Sequence, residues 1–394
     1  MRIHRIKMSH PKHIIYCIPH LYNAGGMERV LTQKVNWLAA HTPHDITIVT
    51  TEPTPRGMAV SYFPLDKRVQ VIELNIDFNA DYNAPLLRKL IAHRRKQSLY
   101  RHALEQVLKQ TQADLCISLC GKEIAFLRHL PCRSIAELHF QINHRRQLLE
   151  ATHKGWFWSL LGAIRTRQLI REVKPLEQLV VLTDADKEDW IAAGCTNVRC
   201  IPNPCSLDGK DIQKKPDSSD KKTIVAVGRL HVEKGFDLLL EAWKRIEPLY
   251  PEWTLRIVGE GEERKALEQQ VQSTGLHHVQ LPGRSSDIAS EYAKANVFVL
   301  SSRYEGLPLA MMEAMWCGVP CVAFDCPRGA RALIGEDRGW LVPNGDIEAL
   351  AQQIVYCLAN KEEAKARAGE AQRFVHAHYS EAQIMPQWKE IIEQ

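Results

Sequence analysis

In the second half of this chain, two cations and two carboxylates stand where a phosphate-bearing ligand would need them. Gly228-Arg229-Leu230 closes the apolar run Thr223–Val227, and Glu233-Lys234-Gly235 opens the helical pattern that follows. Arginine offers a planar fork and lysine a point charge, and both suit a diphosphate. A pair of plain surface cations is the blander reading, but helix starts disfavour positive charge. Arg229 and Lys234 therefore point to an anionic ligand. Farther on, the run Val297–Leu300 leads into Tyr304-Glu305-Gly306-Leu307-Pro308-Leu309-Ala310-Met311-Met312-Glu313. Gly306 frees the backbone, and Pro308 suits the first turn of a helix. The N–H groups around Leu307 and Leu309 can then point at a phosphate. Glu313, about one and a half turns in, would face the crevice from roughly 7 Å beyond Glu305. Together the two carboxylates can accept hydrogen bonds from sugar hydroxyls; Glu313 alone would read as an acid stabilising a helix dipole.

The first half carries a weaker signal, Asn23-Ala24-Gly25-Gly26-Met27-Glu28-Arg29. Gly25 and Gly26 allow a tight turn and a close ligand approach, and the helix start offers unpaired N–H groups. A tight strand-to-helix turn explains the segment equally well. It is not GxGxxG, and no distinctive acid follows about 20 residues on.

Elements that alternate between strand-like and helical patterns must position these residues, which predicts a parallel α/β architecture. Strands are expected at His13–Ile18, Asp45–Thr50, Val69–Leu74, Asp114–Ser118, Ser134–Leu138, Leu179–Leu182 and Val198–Ile201. Helices are expected at Glu28–Ala40, Pro85–Lys109 and Asp184–Ala193. A polar stretch, 206–222, reads as a linker, and a new series starts at Thr223. The expected division is residues 1–205, the linker 206–222, and 223–377, with a helix at about 378–394 able to cross back to the first unit. Ligands of such sheets bind beyond the carboxyl ends of the strands.

Bulk properties narrow the classes. A chain of 394 residues exceeds one ordinary α/β core. A net charge of +5 argues against a dedicated nucleic-acid binder. The eleven cysteines are odd in number, sit mostly in apolar runs, and show no zinc-like spacing, which fits a reducing cytoplasm. No apolar run approaches the roughly 20 residues of a membrane span.

The ordered set GGMER, GRLHVEKG and EGLPLAMMEAMWCGVP resembles family-4 retaining glycosyltransferases of the GT-B fold. Val181-Leu182-Thr183, Ile201-Pro202-Asn203-Pro204, Leu281-Pro282-Gly283-Arg284 and Gly339-Trp340-Leu341-Val342-Pro343 support the likeness, which runs from about Ile14 to Asp346. It implies two Rossmann-like domains facing across a cleft. Arg229 and Lys234 would neutralise the donor diphosphate, with Gly228 beside them. Glu305 would contact the donor sugar and Glu313 the ribose. Gly283 and Arg284 would meet the base, and Gly25-Gly26 would lie beside phosphate and acceptor. His139 resembles the family's histidine near the donor sugar, with His144 as a neighbouring rival. The family often has Gly-Pro-x-Glu-Ile-Ile where this chain has Gly329-Ala330-Arg331-Ala332-Leu333-Ile334, so no role is carried over to that acidic position.

The implied activity is transfer, with retention, of a hexose or N-acetylhexosamine from a UDP-sugar to a glycan or polyprenyl-linked acceptor. No cofactor and no metal are expected: Asp184-Ala185-Asp186 looks like a DxD motif but reads as an acidic first helical turn. The segment from Lys154 to Arg167 mixes aromatic, aliphatic and basic residues. It reads either as a core-packed helix with a basic rim or as a contact with the inner face of the membrane. A sugar-nucleotide epimerase and an NAD-dependent oxidoreductase are the rival readings; the missing GxGxxG speaks against the second.

Overall fold

The computed structural model describes residues 10–81, 85–152, 155–207, 222–326 and 328–394. Most of the 206–222 stretch lies outside them. The first unit runs β1 (His13–Ile18), α1 (Gly26–His41), β2 (Asp45–Thr50), β3 (Val69–Glu73), α2 (Leu86–Thr111), β4 (Leu115–Ser118) and β5 (Arg133–Leu138). It continues with α3 (His144–Thr152), α4 (Trp156–Val173), β6 (Gln178–Val181), α5 (Asp184–Ala192) and β7 (Val198–Cys200). The second runs β8 (Thr223–Val227), α6 (Phe236–Ile246), β9 (Thr254–Val258), α7 (Arg264–Thr274), β10 (Val279–Gly283), α8 (Ile288–Ala293) and β11 (Val297–Leu300). After these come α9 (Leu309–Trp316), β12 (Cys321–Phe324), α10 (Gly329–Ile334), β13 (Trp340–Val342), α11 (Ile347–Ala359), α12 (Lys361–His378) and α13 (Glu381–Glu393).

The strands form two wholly parallel sheets. Their orders are β3-β2-β1-β4-β5-β6-β7 and β10-β9-β8-β11-β12-β13. In each, the order reverses beside the first strand, so a crevice opens between β1 and β4 and between β8 and β11. Buried, β-branched strands such as Ile14-Ile15 and Val297-Phe298-Val299 leave no solvent face, as sheets covered on both sides require.

The chain ends on the first unit. Ile384, Met385, Trp388, Ile391 and Ile392 of α13 join the cluster formed by Ile14, Tyr16, Leu31, Val35 and Ile48. Trp388 is 1% exposed, and its ring covers the Lys34 ammonium at 3.6 Å. The apolar stripe of α13 has no other surface to bury, and this contact ties the last helix to the first.

The helices α8 and α10 have six residues each, too few for a helical period to show in the sequence. The Lys154–Arg167 segment became α4, paired with α3 so tightly that a Cβ on Gly162 would sit 2.6 Å from Cα of Arg146. Only one face of α4 packs, with Gly162, Thr166, Leu169 and Val173 buried. Trp156, Phe157, Leu160 and Ile164 stay exposed, so the core-packed reading fails for that face.

Trp388→Ala should cost about 3–5 kcal/mol of unfolding free energy, as large-to-small changes in a core do. Denaturant unfolding followed by circular dichroism measures it. A cost no larger than that of a surface substitution would mean that α13 does not hold the first unit together.

Candidate active site

The carboxyl edges of the two sheets meet at the helices that follow β1 and β11. A Cβ on Gly26, the first residue of α1, would lie 3.0 Å from Leu309 Cδ1, at the start of α9. A Cβ on Gly306 would lie 2.3 Å from the His139 carbonyl oxygen. Gln141 Nε2 donates to the Glu305 carbonyl at 2.6 Å. No larger side chain fits at Gly306, where it would meet backbone, whereas one at Gly26 would need the Leu309 side chain to give by a few tenths of an ångström. Across the same seam, Arg29 Nη1 donates to Glu313 Oε1 at 2.9 Å, and Arg328 Nη2 pairs with Asp189 of α5 at 2.7 Å.

The two facing helices start without a side-chain cap. Thr183, Asp287 and Asp346 cap α5, α8 and α11 by accepting from a backbone N–H. The N-cap positions of α1 and α9 are Gly25 and Pro308, and neither supplies a side-chain cap. The first N–H groups of a helix have no intrahelical acceptor, so both helices present positive ends to the seam. The same comparison explains Asp184-Ala185-Asp186: the Thr183 hydroxyl accepts from the Asp186 N–H at 3.1 Å and donates to its carboxylate at 2.7 Å.

Lys234 and Glu305 come together beside α9. Lys234 Nζ donates to Glu305 Oε1 at 2.7 Å, and the Ser302 hydroxyl donates to the same oxygen at 2.7 Å. Burial opposes the Lys234 charge, yet Glu305 and Glu233 hold its pKa above the ordinary value. Gly228 lies against this lysine, since a Cβ there would meet Lys234 Cδ at 3.5 Å. Arg229 is 61% exposed and pairs with Glu233 at 2.9 Å. Its charge also reaches His20, in the loop after β1, and opposes protonation there. The argument that cations are costly at this helix start needs correction. Lys234 ends a 3-10 turn, Val232–Lys234, ahead of α6, and each cation already has a carboxylate partner.

Glu313 is placed differently from the sequence expectation of an open crevice residue. It is 5% exposed, and its oxygens hold Arg29, the Ser206 hydroxyl and, at 2.9 Å, the Tyr292 hydroxyl. Gly283 closes β10 at φ +89. It and Arg284 share the carboxyl edge but neighbour Glu260 rather than Lys234 or Glu305.

His139 is held from both sides. Its Nε2 donates to Glu137 Oε1 at 2.9 Å, and Asn203 Nδ2 lies 3.4 Å from its Nδ1. A carboxylate can only accept, so Nε2 carries the proton shared with Glu137. The side chain is 8% exposed, and the backbone carbonyl of the same residue meets Gly306. Glu137 Oε1 also accepts from Lys34 Nζ at 2.5 Å. Burial pushes Glu137 up, but Lys34 and His139 together outweigh it and hold the carboxyl at about 2. For Lys34 burial dominates and the shift is downward; the short contact in a closed core favours the ionised pair. The rival His144 stacks on Phe140 at 5.0 Å and meets Tyr304 edge-on at 5.6 Å. Burial lowers its pKa, against the pull of Glu233, and the helix it opens packs on the Val232–Lys234 turn. Sequence reasoning gave no role to His20, Arg29 or Gln141; only Arg29 had a signal, inside GGMER.

Comparison with known proteins agrees with this geometry. Residues 208–374 match the family described as glycosyl transferases group 1. The chain is 28% identical over 387 residues, 97% of its length and 100% of the relative's, to an uncharacterized glycosyltransferase of Haemophilus influenzae. It is 27% identical over 335 residues, 84% of its length and 85% of the relative's, to a Campylobacter jejuni N-acetyl-D-galactosaminyltransferase whose name carries a PP-undecaprenol-linked glycan. A solved sucrose-phosphate synthase from Thermosynechococcus elongatus shares the fold with a TM-score of 0.80 at 20% identity, covering 98% of this chain and 99% of that one. The two facing parallel sheets are thus the GT-B arrangement.

Two outcomes follow from the seam. Gly306→Ala should force the loop off His139 and lower activity by about 10²-fold, the scale set by a 1 Å misplacement, with an increased radius of gyration in small-angle scattering. An unchanged radius and rate would remove the contact from the account. The Glu137 carboxyl is lower folded, at about 2, than its ordinary 4.5, so its stabilisation is present above about 4.5 and lost as pH falls towards about 2. Unfolding titrations across that window should show a steeper loss than in Glu137→Gln; identical slopes would contradict the buried pair.

Proposed function

From a chain whose residues 208–374 belong to the glycosyl transferases group 1 family, we propose a retaining glycosyltransferase that uses a UDP-sugar donor. It moves a hexose or N-acetylhexosamine onto a glycan or lipid-linked acceptor in surface polysaccharide synthesis. The observation that carries this reading is the Lys234–Glu305 pair lying beside two uncapped helix starts.

When a nucleoside diphosphate departs, charge builds on its β-phosphate while the anomeric carbon turns cationic. Lys234, Arg229 and the amides at the start of α9 would meet the first charge, and the Glu305 carboxylate lies beside the second. Such preorganised groups are often the largest catalytic contribution. Binding a diphosphate would give Lys234 a second acceptor and draw Arg229 from its exposed pair with Glu233, which is worth little in water. Glu313 would take the ribose hydroxyls by exchanging Arg29, its most exposed partner, at 30%. Closing the seam would keep water from the anomeric centre. Retention rests on the sequence resemblance and uridine on the donor that family favours.

The acceptor enters on the first domain. No helix among the described residues is long and apolar enough to cross a membrane. The exposed Trp156, Phe157, Leu160 and Ile164 face, with Arg165 and Arg167 beside it, suits a peripheral contact with the inner membrane face.

UDP should raise the melting temperature of the protein, and Arg229→Ala should abolish most of that gain. Lys234→Ala should lower kcat by about 10²–10³-fold, the cost of removing one preorganised donor. Stabilisation by UDP that survives Arg229→Ala unchanged, or full turnover in Lys234→Ala, would refute the phosphate assignment.

A further inference from the structure

Three cations and a histidine gather on the first domain, away from Arg229 and Lys234. Lys122 opens the 3-10 turn Lys122–Ala125 that follows β4, on the carboxyl edge where ligands of parallel sheets bind. Arg145 is the second residue of α3, which follows β5. Arg165 belongs to α4 and His93 to α2. Both α2 and α4 pack against the Lys122 turn, and Gln97 Nε2 fixes it by donating to the Lys122 carbonyl at 2.6 Å. Arg145 Nη1 reaches the Arg165 carbonyl at 3.5 Å.

Among the described residues none of the three cations Lys122, Arg145 and Arg165 forms an ion pair, whereas nearby surface cations do, as in Arg101–Glu105 and Arg133–Glu177. After burial, Arg145 and Arg165 are the chief causes that push Lys122 below its ordinary pKa. Lys122 and Arg165 act on His93 in the same direction, and Arg165 acts so on Arg145 against the pull of Glu172. Holding like charges together costs stability, and a multivalent anion relieves it. Beside the cluster lie apolar side chains with no protein cover. Leu90 and Ile91 stand within a turn of His93 on α2, and Phe157, Leu160 and Ile164 form a stripe on α4 that leads to Arg165.

A ligand that matches both features joins a compact anion to a long apolar chain. We propose that Lys122, Arg145 and Arg165, with His93, bind the diphosphate of a lipid-linked acceptor, whose apolar chain runs onto the exposed faces of α2 and α4. This deepens the reading of a lipid-linked acceptor and rests on it. The glycan end then extends from the β4 and β5 edge towards the seam where Glu305 lies.

The test uses the full chain saturated with UDP, so that Arg229 and Lys234 are occupied, and farnesyl diphosphate as the probe in titration calorimetry. Lys122→Ala/Arg165→Ala should weaken probe binding tenfold or more. Arg94→Ala/Arg95→Ala, which removes equal charge from exposed positions of α2, should leave it within twofold. Inorganic diphosphate should compete, and UDP should stabilise both variants as it does the wild type. Equal probe affinity in Lys122→Ala/Arg165→Ala, or no binding by the wild type, overturns the site. Loss of flotation with phosphatidylglycerol vesicles in that variant, with probe affinity kept, also overturns it in favour of a general anionic membrane surface. A wild type that UDP fails to stabilise strikes the donor assignment instead, so the two failures are distinct.

Discussion

Two helices that begin without a cap face each other across the seam, and the arrangement of the molecule depends on them. Backbone N–H groups at a helix start require an acceptor. Gly25 and Pro308 provide none from their side chains, and both starts lie at the seam, where Gly26 meets Leu309. At α1 the Glu28 carboxylate of the first turn lies over Gly25; at α9 the demand falls on water or on a ligand between the domains. Lys234 adds a full charge to these partial ones, and Glu305 steadies it in place.

Holding that seam in register is a task for the buried interior. The Gly306 approach requires the His139 carbonyl at a fixed point, and the His139 ring is clamped by Glu137 and Asn203. Glu137 in turn needs Lys34, which lies beneath the Trp388 ring. The last helix thus connects to the Gly306 loop through a row of side chains rather than by touching it. Removing one member of a buried pair leaves the other charged and unpaired, so this row couples stability of the first domain to geometry at the cleft.

Much of the fold was legible because parallel strands buried on both faces are written as short continuous apolar runs. His13–Ile18, Asp45–Thr50, Thr223–Val227 and Val297–Leu300 could be read with the bounds that the structure has. Partners were less legible than positions. Arg229, Lys234, Glu305 and Glu313 stood out by type and spacing, but the pairing of Arg29 with Glu313 joins residues 284 positions apart, and periodicity carries no such information. The enclosure of His139 was likewise invisible, since it depends on Glu137 and Asn203 from different strands' ends. The cluster at Lys122, Arg145 and Arg165 draws on three separate elements, each of which reads alone as an ordinary solvated cation.

A crystal structure of the protein with UDP tests the central claim most directly. The account places the β-phosphate within hydrogen-bonding distance of Lys234 Nζ and the backbone N–H groups that start α9, with the Arg229 guanidinium turned from Glu233 towards it. A diphosphate bound elsewhere, with the Lys234–Glu305 pair and both helix starts untouched, would contradict it.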